Sequence, residues 1–264
     1  MKINTNIAAE PLRQTRIDSD NLLKQLASAR RVNSAADDAA GLQIIDRLNA
    51  QVNGANQGMR NLYDGISLAN VAEQTLAGVS DGLAELDSLT VQAGNGALTD
   101  ADRAAISEQA AQISKSMQQQ IDNSSFAGVK LFAKDKQIAF SSGDTLLNLK
   151  TPGLANAVSG NGLDAIDFNT EAGRSAAQNN IQSLTKTVNA ARADLGAGIN
   201  TFAAAARGLA NQNENVAAAR SRIEDLDYAS AVSQQVANGV KEQAAVAVRV
   251  QGRISAEQSL KLLA

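Results

Sequence analysis

The chain has 264 residues with no histidine and no cysteine, and only 3% of it is aromatic against 44% hydrophobic. Its 24 Lys and Arg are outnumbered by 27 Asp and Glu, for a net charge of −3. That inventory excludes disulfides, thiol nucleophiles, histidine bases and zinc sites built on Cys or His, and it leaves no basic stripe for nucleic acid.

The apolar bulk is Ala, Leu, Ile and Val, which favours narrow, closely approaching helices over a broad aromatic core. Two prolines leave few helix breakers. No run of about 18 apolar residues is present, so no membrane span is expected. The opening MKINTNIAAE lacks the basic, apolar, small-residue order of a cleaved secretory signal.

Residues 1–31 show a sparse apolar pattern of Leu12, Leu22, Leu23 and Leu26, enough for a helix but not for one that stands alone. Next comes NSAADDAAG at 33–41. Asp37 and Asp38 could be a catalytic carboxylate pair, but that chemistry needs a pocket and two separated pKa values. The preferred reading is a helix cap: Ser34 and Asp37 have capping-box spacing, and both carboxylates lie near the positive end of a rod.

That rod is predicted over 41–93. Ile45, Leu48, Val52, Ala55, Met59, Leu62, Ile66 and Ala69 step by three and four, a step of three reaches Ala72, and Leu76, Val79, Leu83 and Leu86 follow. This is a seven-residue hydrophobic repeat with one stammer. At ~1.5 Å per residue it would run roughly 80 Å. The pairs Gly54/Gly58 and Gly78/Gly82 are either tolerated weakness or points of close helix approach.

A shorter helix should begin at the Thr99–Asp102 capping pattern, show Ile106, Ala110, Ile113 and Met117 on its apolar face, and end near 123–125. Three short apolar runs at 129–132, 137–140 and 145–149 carry hairpin signals. Residues 151–169 read as a surface loop at the tip of the molecule. A second rod follows on Ile181, Leu184, Val188, Ala191, Leu195, Ile199, Phe202, Ala206, Leu209 and Val216, with a stutter at 195–199.

The second rod ends in ARSRIEDLDYAS, 219–230, where Arg220, Arg222, Glu224, Asp225 and Asp227 crowd together. Arg220 and Glu224 are four apart in the weaker order for helix support. A solvated helix face is one reading; a joint between helices or subunits is the other. Beyond it, Val232, Val236, Val240, Ala244 and Val248 recur every four residues, then Ile254, Leu260, Leu262 and Leu263 close the chain. Strict steps of four drift around a helix. Both ends are therefore expected to be poorly ordered alone and helical when packed together or against copies of the chain.

NSAADDAAG, NLYDGISLA at 61–69, FAGVKLF at 126–132, RADLGA at 192–197 and ARSRIEDLDYAS, with INTN at 3–6, resemble the bacterial flagellins in the same order along the chain. The resemblance covers about 1–133 and 171–264. It implies a mainly α, elongated antiparallel helical bundle of long rods with a small β-hairpin region. The N- and C-terminal helices, 1–31 and 230–264, pair as an inner tube. Residues 32–133 and 171–229 form a shell, and 134–170 hold the hairpin and loop in place of large outer domains. The family pattern favours the joint for the charged stretch.

The implied function is a secreted structural subunit of the flagellar filament, without cofactor, polymerising for swimming motility. Implied partners are other flagellin subunits, an export chaperone, the flagellar type III export apparatus, the filament cap and the hook–filament junction proteins; neither nucleic acid nor membrane is among them. A hook–filament junction protein is the runner-up, and a helical adaptor or chaperone a weaker alternative. An enzyme lacks support, since no phosphate-cradling glycine loop or pocketed acid pair stands out.

Three departures from the family pattern stand out. The first terminal helix is about one turn short, ASARR at 27–31 replaces SSGLR, and RISAE at 253–257 replaces the usual Asn-Gln-x-Pro-Gln. In the stretch by which an animal Toll-like receptor senses some flagellins, Leu89 and Gln92 are kept. Glu85 stands where recognised members have Arg, and Gln109 where they have Glu, so recognition is expected to be weak or absent.

Overall fold

The computed structural model describes residues 9–263. The chain divides into two compact units. One takes the chain up to Val52 and again from Glu214; the other is Asn53–Asn213. Both boundaries, 52/53 and 213/214, fall inside long continuous helices.

Ten elements follow in order: α1 (Ala9–Ser28), α2 (Ala35–Ala93), α3 (Asp100–Asn123), β1 (Ser125–Phe126), β2 (Val129–Lys130), β3 (Lys136–Ser141), β4 (Leu146–Thr151), α4 (Ala157–Gly160), α5 (Glu171–Glu224) and α6 (Tyr228–Leu263). The fold is mainly α, with two rods of 59 and 54 residues. Lengths of this kind need packing partners, since helix propensity alone does not hold them.

In the second unit the expected seams become the core. Leu62, Ala69, Ala72, Leu76, Val79, Leu83 and Leu86 of α2 are buried, as are Ile181, Leu184, Val188, Ala191, Leu195, Phe202 and Ala206 of α5. The stammer has a structural counterpart: adjacent Leu68 and Ala69 are both buried, so the seam steps sideways there. Phe202 meets Phe140 of β3 edge-to-face, with ring centroids 5.4 Å apart. Arg192 places Nε and Nη2 each 2.8 Å from Glu73 Oε1, tying α5 to α2.

The glycine pairs divide. A Cβ on Gly82 would lie 2.6 Å from Met117 of α3, and one on Gly58 would lie 2.9 Å from the Gly143 backbone nitrogen. Gly78 likewise faces Gln120. Gly54 faces nothing within 4 Å, so it is the one member that fits tolerated weakness.

Helix α3 starts as expected. Thr99 accepts the Asp102 N–H, and the Asp102 carboxylate receives the Thr99 N–H at 2.9 Å and its hydroxyl at 2.7 Å. Those bonds, the hydroxyl first, hold the Asp102 carboxyl below the usual carboxylate range. Ile106, Ala110 and Met117 are buried.

The hairpin region is built differently from the expected three runs. Val129–Lys130 turns back on Ser125–Phe126 across Ala127 and Gly128, both at positive φ (49° and 79°). Leu131 and Phe132 then leave the strand and plug the core. The longer hairpin pairs β3 with β4 antiparallel, Lys136 opposite Thr151 and Ser141 opposite Leu146.

Residues 151–169 are not a surface loop throughout. Leu154, Val158, Leu163 and Phe168 are buried. Their backbone is tied down as well: Leu154 N–H donates to Phe132 O at 2.8 Å, Gln118 Nε2 to Ala155 O at 2.7 Å, and the buried Ser114 hydroxyl to Leu163 O. Four apolar residues spaced irregularly across Gly and Asn show no period, so the sequence hid their inward direction.

Candidate functional site

The charged stretch 219–230 sits where α5 ends and α6 begins, against the turn that joins α1 to α2. All of it belongs to the unit formed by the chain ends. Helix α1 closes with Ala29 in the left-handed region, φ 56°, and the Arg30 N–H reaches back to Gln25 O at 3.2 Å. That bond and conformation form a Schellman cap, in which the left-handed residue is usually glycine. Ala29 occupies the place where the flagellin pattern has the Gly of SSGLR.

The turn lets Arg30 and Arg31 lie alongside 223–226. Arg30 bridges to Asp225 as an isolated antiparallel pair. Arg31 N–H donates to Glu224 O at 2.6 Å, and Leu226 N–H to Ala29 O at 3.1 Å. Arg31 Nη2 donates to Ile223 O at 2.7 Å, satisfying a carbonyl at the end of α5. The backbone and the guanidinium together form the clasp.

Glu224 is its centre. The side chain is buried, 8% exposed, and its two oxygens take different cations: Arg30 Nε at 3.0 Å on Oε1, and Arg220 Nε at 3.3 Å on Oε2. Arg220 also donates from Nη1 to Asn49 Oδ1 of α2 at 2.9 Å. Three segments thus meet around one carboxylate: the turn after α1, the end of α5 and, through Arg220, α2. A buried carboxylate without such partners would be strongly unfavourable.

Of the other residues singled out here, Asp225 accepts the Ser221 hydroxyl at 2.5 Å. Asp227 caps α6, with the Ser230 N–H on its Oδ1 at 3.0 Å. Arg222 points to solvent. The sequence reading did not single out Arg30 and Arg31 as partners of this cluster. Adjacent arginines opposite an acid-rich stretch were the available signal.

At the start of α2 the cap is shared. The Asp37 Oδ2 receives Asn33 N–H at 3.0 Å, Ser34 N–H at 2.8 Å and the Ser34 hydroxyl at 3.0 Å. The Asn33 backbone bond, then those from Ser34, lower the Asp37 pKa from its ordinary value. Asp37 N–H goes to the Ser34 carbonyl, so only one half of the expected capping box forms. Asp38 is extended (φ −161°, ψ 98°) and its Oδ1 accepts the Gly41 N–H at 2.8 Å. Asp38 is therefore the cap of the continuous helix, and Ser34 with Asp37 build the turn before it.

Helices α1 and α6 pack together. Leu22 is buried, Leu26 half-buried and Leu23 exposed. On α6 Ala231 is buried and Gln235, Asn238, Glu242 and Ala245 are half-buried, while Arg16 and Glu242 approach at 3.7 Å. The valines face away: Val232 is 39% exposed, Val236 62% and Val240 61%, and Val246, Val248, Val250 and Ile254 are exposed too. The covered face is thus small and polar, and the branched residues lie outside it. The side chains of Leu260 and Leu263, and INTN at 3–6, lie outside the described residues.

In the other unit, Glu85 and Gln109 are exposed on α2 and α3, whereas Leu89 is buried. Leu89 is thus a core residue, and its position on the helix stripe explains that. An open groove of about 640 Å³ lies between the β3–β4 hairpin and α5, with Lys136, Lys150, Lys186 and Asp194 on its walls. Among the described residues there is no cluster of metal-binding side chains, and no helix long and apolar enough to cross a membrane.

A family model for the bacterial flagellin N-terminal helical region matches residues 2–137, and one for the C-terminal helical region matches 178–263. A flagellin of Halalkalibacterium halodurans is 31% identical, over 91% of this chain and 90% of its own length. The flagellar filament 30.7 kDa core protein of Treponema maltophilum is 28% identical over the same shares. Among solved structures, Bacillus cereus flagellin aligns with a TM-score of 0.51 at 22% identity, covering 61% of this chain and 94% of that one. A structure described as a flagellar hook-associated protein of Vibrio parahaemolyticus aligns at 0.62 and 15%, covering 72% and 100%. These two likenesses bear on the fold alone.

Proposed function

The chain belongs to the bacterial flagellin family and is a structural subunit of the flagellar filament, and from that premise we propose that the outward valine face of α6 is its polymer-forming surface. Val232, Val236 and Val240 stay exposed although α6 already has a partner in α1. That is the observation that carries the proposal. Burying each against a sister chain contributes up to about 1.5 kcal/mol. A contact between unlike surfaces that does not close repeats into an open helical polymer.

Leu23 on α1, exposed like the valines, is assigned to the same surface. The terminal helices gain order on incorporation, because among the described residues of α1 only Leu22 and Ser19 are buried. In this reading residues 1–31 and 230–264 form the inner tube, 32–133 and 171–229 the shell, and 134–170 the outermost part. The clasp at Glu224, with Arg220, Arg222, Asp225 and Asp227, is the joint that passes the chain from shell to tube; Ser34, Asp37 and Asp38 fix where the shell helix starts.

The subunit is exported through the flagellar type III apparatus, with a chaperone covering the α6 valines until release, and is added below a filament cap on top of hook–filament junction proteins. Its role is structural and not enzymatic. Receptor recognition is weak, since Glu85 carries the opposite charge to the usual Arg, Gln109 lacks the usual negative charge and Leu89 is not exposed. Seeded growth tests the core of this reading: purified chain mixed with filament fragments should extend them under the electron microscope, with far-ultraviolet circular dichroism rising in helicity. Failure to extend seeds, with no change in helicity, would contradict it.

A further inference from the structure

Four Asn-Gly steps occur in the chain, at Asn53, Asn95, Asn161 and Asn238. In each, the glycine nitrogen could attack the asparagine side-chain amide, since glycine puts no side chain in the way. Structure separates them. Asn53-Gly54 and Asn238-Gly239 lie inside α2 and α6, where the glycine N–H is held in the helix ladder. Asn161 is held on both sides: its Nδ2 donates to Ala157 O at 2.6 Å, and the Gly162 N–H donates to Ser159 O at 2.9 Å.

Asn95-Gly96 differs in every respect. It lies in the turn between α2 and α3, and both residues are exposed. The Gly96 N–H has no hydrogen-bond partner among the described residues. Asn95 Oδ1 accepts the Ala97 N–H at 3.0 Å, which fixes the side chain back over its own turn. That donor also sits where negative charge grows on Oδ1 when the amide carbon is attacked. Arg103 holds the other carbonyl of the same residue, with Nη2 3.3 Å from Asn95 O.

We infer that Asn95 is a built-in site of deamidation, converting to isoaspartate through a cyclic imide. The Gly96 nitrogen attacks Asn95 Cγ and loses its proton, and the side-chain amide leaves as ammonia. A water molecule then opens the five-membered imide at one of its two carbonyls. The sum is asparagine plus water giving a carboxylic acid plus ammonia. Opening at the backbone carbonyl yields isoaspartate, whose chain runs through the former side chain. Arg103 polarises that carbonyl and pairs with the carboxylate it becomes, so isoaspartate is favoured over aspartate. The product gains a negative charge and one extra backbone carbon at the turn linking two core helices.

The test is peptide mapping by mass spectrometry of the full chain, incubated warm at mildly alkaline pH, native and in denaturant. Each conversion adds about one mass unit, and an isoaspartyl methyltransferase label separates the two products. All four sites should react in denaturant. In the native chain Asn95 should keep its rate and exceed Asn53 and Asn161, which lie outside the terminal helices, by roughly tenfold or more, since opening costs of about 1.4 kcal/mol already suppress a protected site tenfold. Gly96→Val should stop conversion at Asn95 with the fold intact, because a side chain there meets nothing within 4 Å. Arg103→Gln should lower the isoaspartate share. Native Asn95 reacting no faster than Asn53 or Asn161, or a rate unmoved by Gly96→Val, would overturn the assignment; an unchanged share in Arg103→Gln would remove Arg103 from it.

Discussion

Arg30 Nε lies 3.0 Å from Glu224 Oε1, 194 positions away in the sequence, and the carboxylate it meets is buried. The pair joins the end of α1 to the end of α5. Removing the carboxylate strands Arg220 and Arg30 together, whereas removing Arg30 leaves Arg220 in place. Because both arginines are partly exposed, the loss should fall below the full cost of breaking a buried pair. Glu224→Gln is expected to destabilise the chain by about 2 kcal/mol and Arg30→Gln by about 1, read from urea unfolding midpoints at unchanged slope. Equal, negligible effects would show that the clasp is held by its backbone bonds alone.

Ala29 adopts a left-handed conformation at the end of α1. Glycine takes that conformation without the clash that a Cβ brings. Ala29→Gly should stabilise the protein by about 1 kcal/mol, raising its thermal midpoint. A decrease would mean that the greater freedom of glycine in the unfolded chain outweighs the relief of strain.

Phe202 is fully buried and stacks edge-to-face on Phe140. Phe202→Ala should cost about 3–5 kcal/mol, measured by denaturant unfolding of the monomer. A loss below 1 kcal/mol would show that the space around β3 collapses onto the gap.

The cap at Asp37 carries a pH dependence whose sign is fixed. Its pKa is lowered in the folded state, so the folded chain binds its proton less readily than the unfolded one. Its contribution is complete above the ordinary aspartate range, about 4, and is lost as pH falls through the lowered folded value. Asp102 is lowered in the same direction and adds to the same window. Asp37→Asn should flatten the acid limb of the stability–pH curve, and a limb of unchanged steepness would contradict the assignment.

Arg222 separates folding from assembly. It is exposed in the single chain, so Arg222→Glu should leave monomer unfolding within about 0.5 kcal/mol of wild type. If the joint also meets neighbouring subunits, the same variant slows seeded growth. Growth at the wild-type rate would confine the joint to one chain.

How far the sequence could be read depended on periodicity. Both rods announced themselves because Leu76, Val79, Leu83 and Leu86 on one, and Ile181, Leu184 and Val188 on the other, recur at helical spacing and are buried as that spacing requires. The start of α3 was equally legible, since Thr99 and Asp102 need no distant partner. Leu154, Val158, Leu163 and Phe168 were not, because their burial is set by what α3 and α5 offer and not by any local repeat. Leu89 looked like a surface contact by resemblance, yet it lies on the same buried stripe as Leu86. The acidic stretch was visible from residues 224–227, but the partner that organises it, Arg30, is remote in sequence and was visible only in three dimensions. On α6 the spacing of four was clear, and which side of the helix α1 would take was not.

That side decides the central claim. Val236 and Val240 face away from α1, so a charge placed there meets solvent in the single chain and a sister molecule in the filament. The most direct test is sedimentation of the Val236→Asp, Val240→Asp double variant with wild-type filament seeds, alongside circular dichroism and thermal unfolding of its monomer. The expected result is a monomer that matches wild type in helicity and midpoint but stays in the supernatant. A double variant that pellets onto seeds as wild type does would contradict the account.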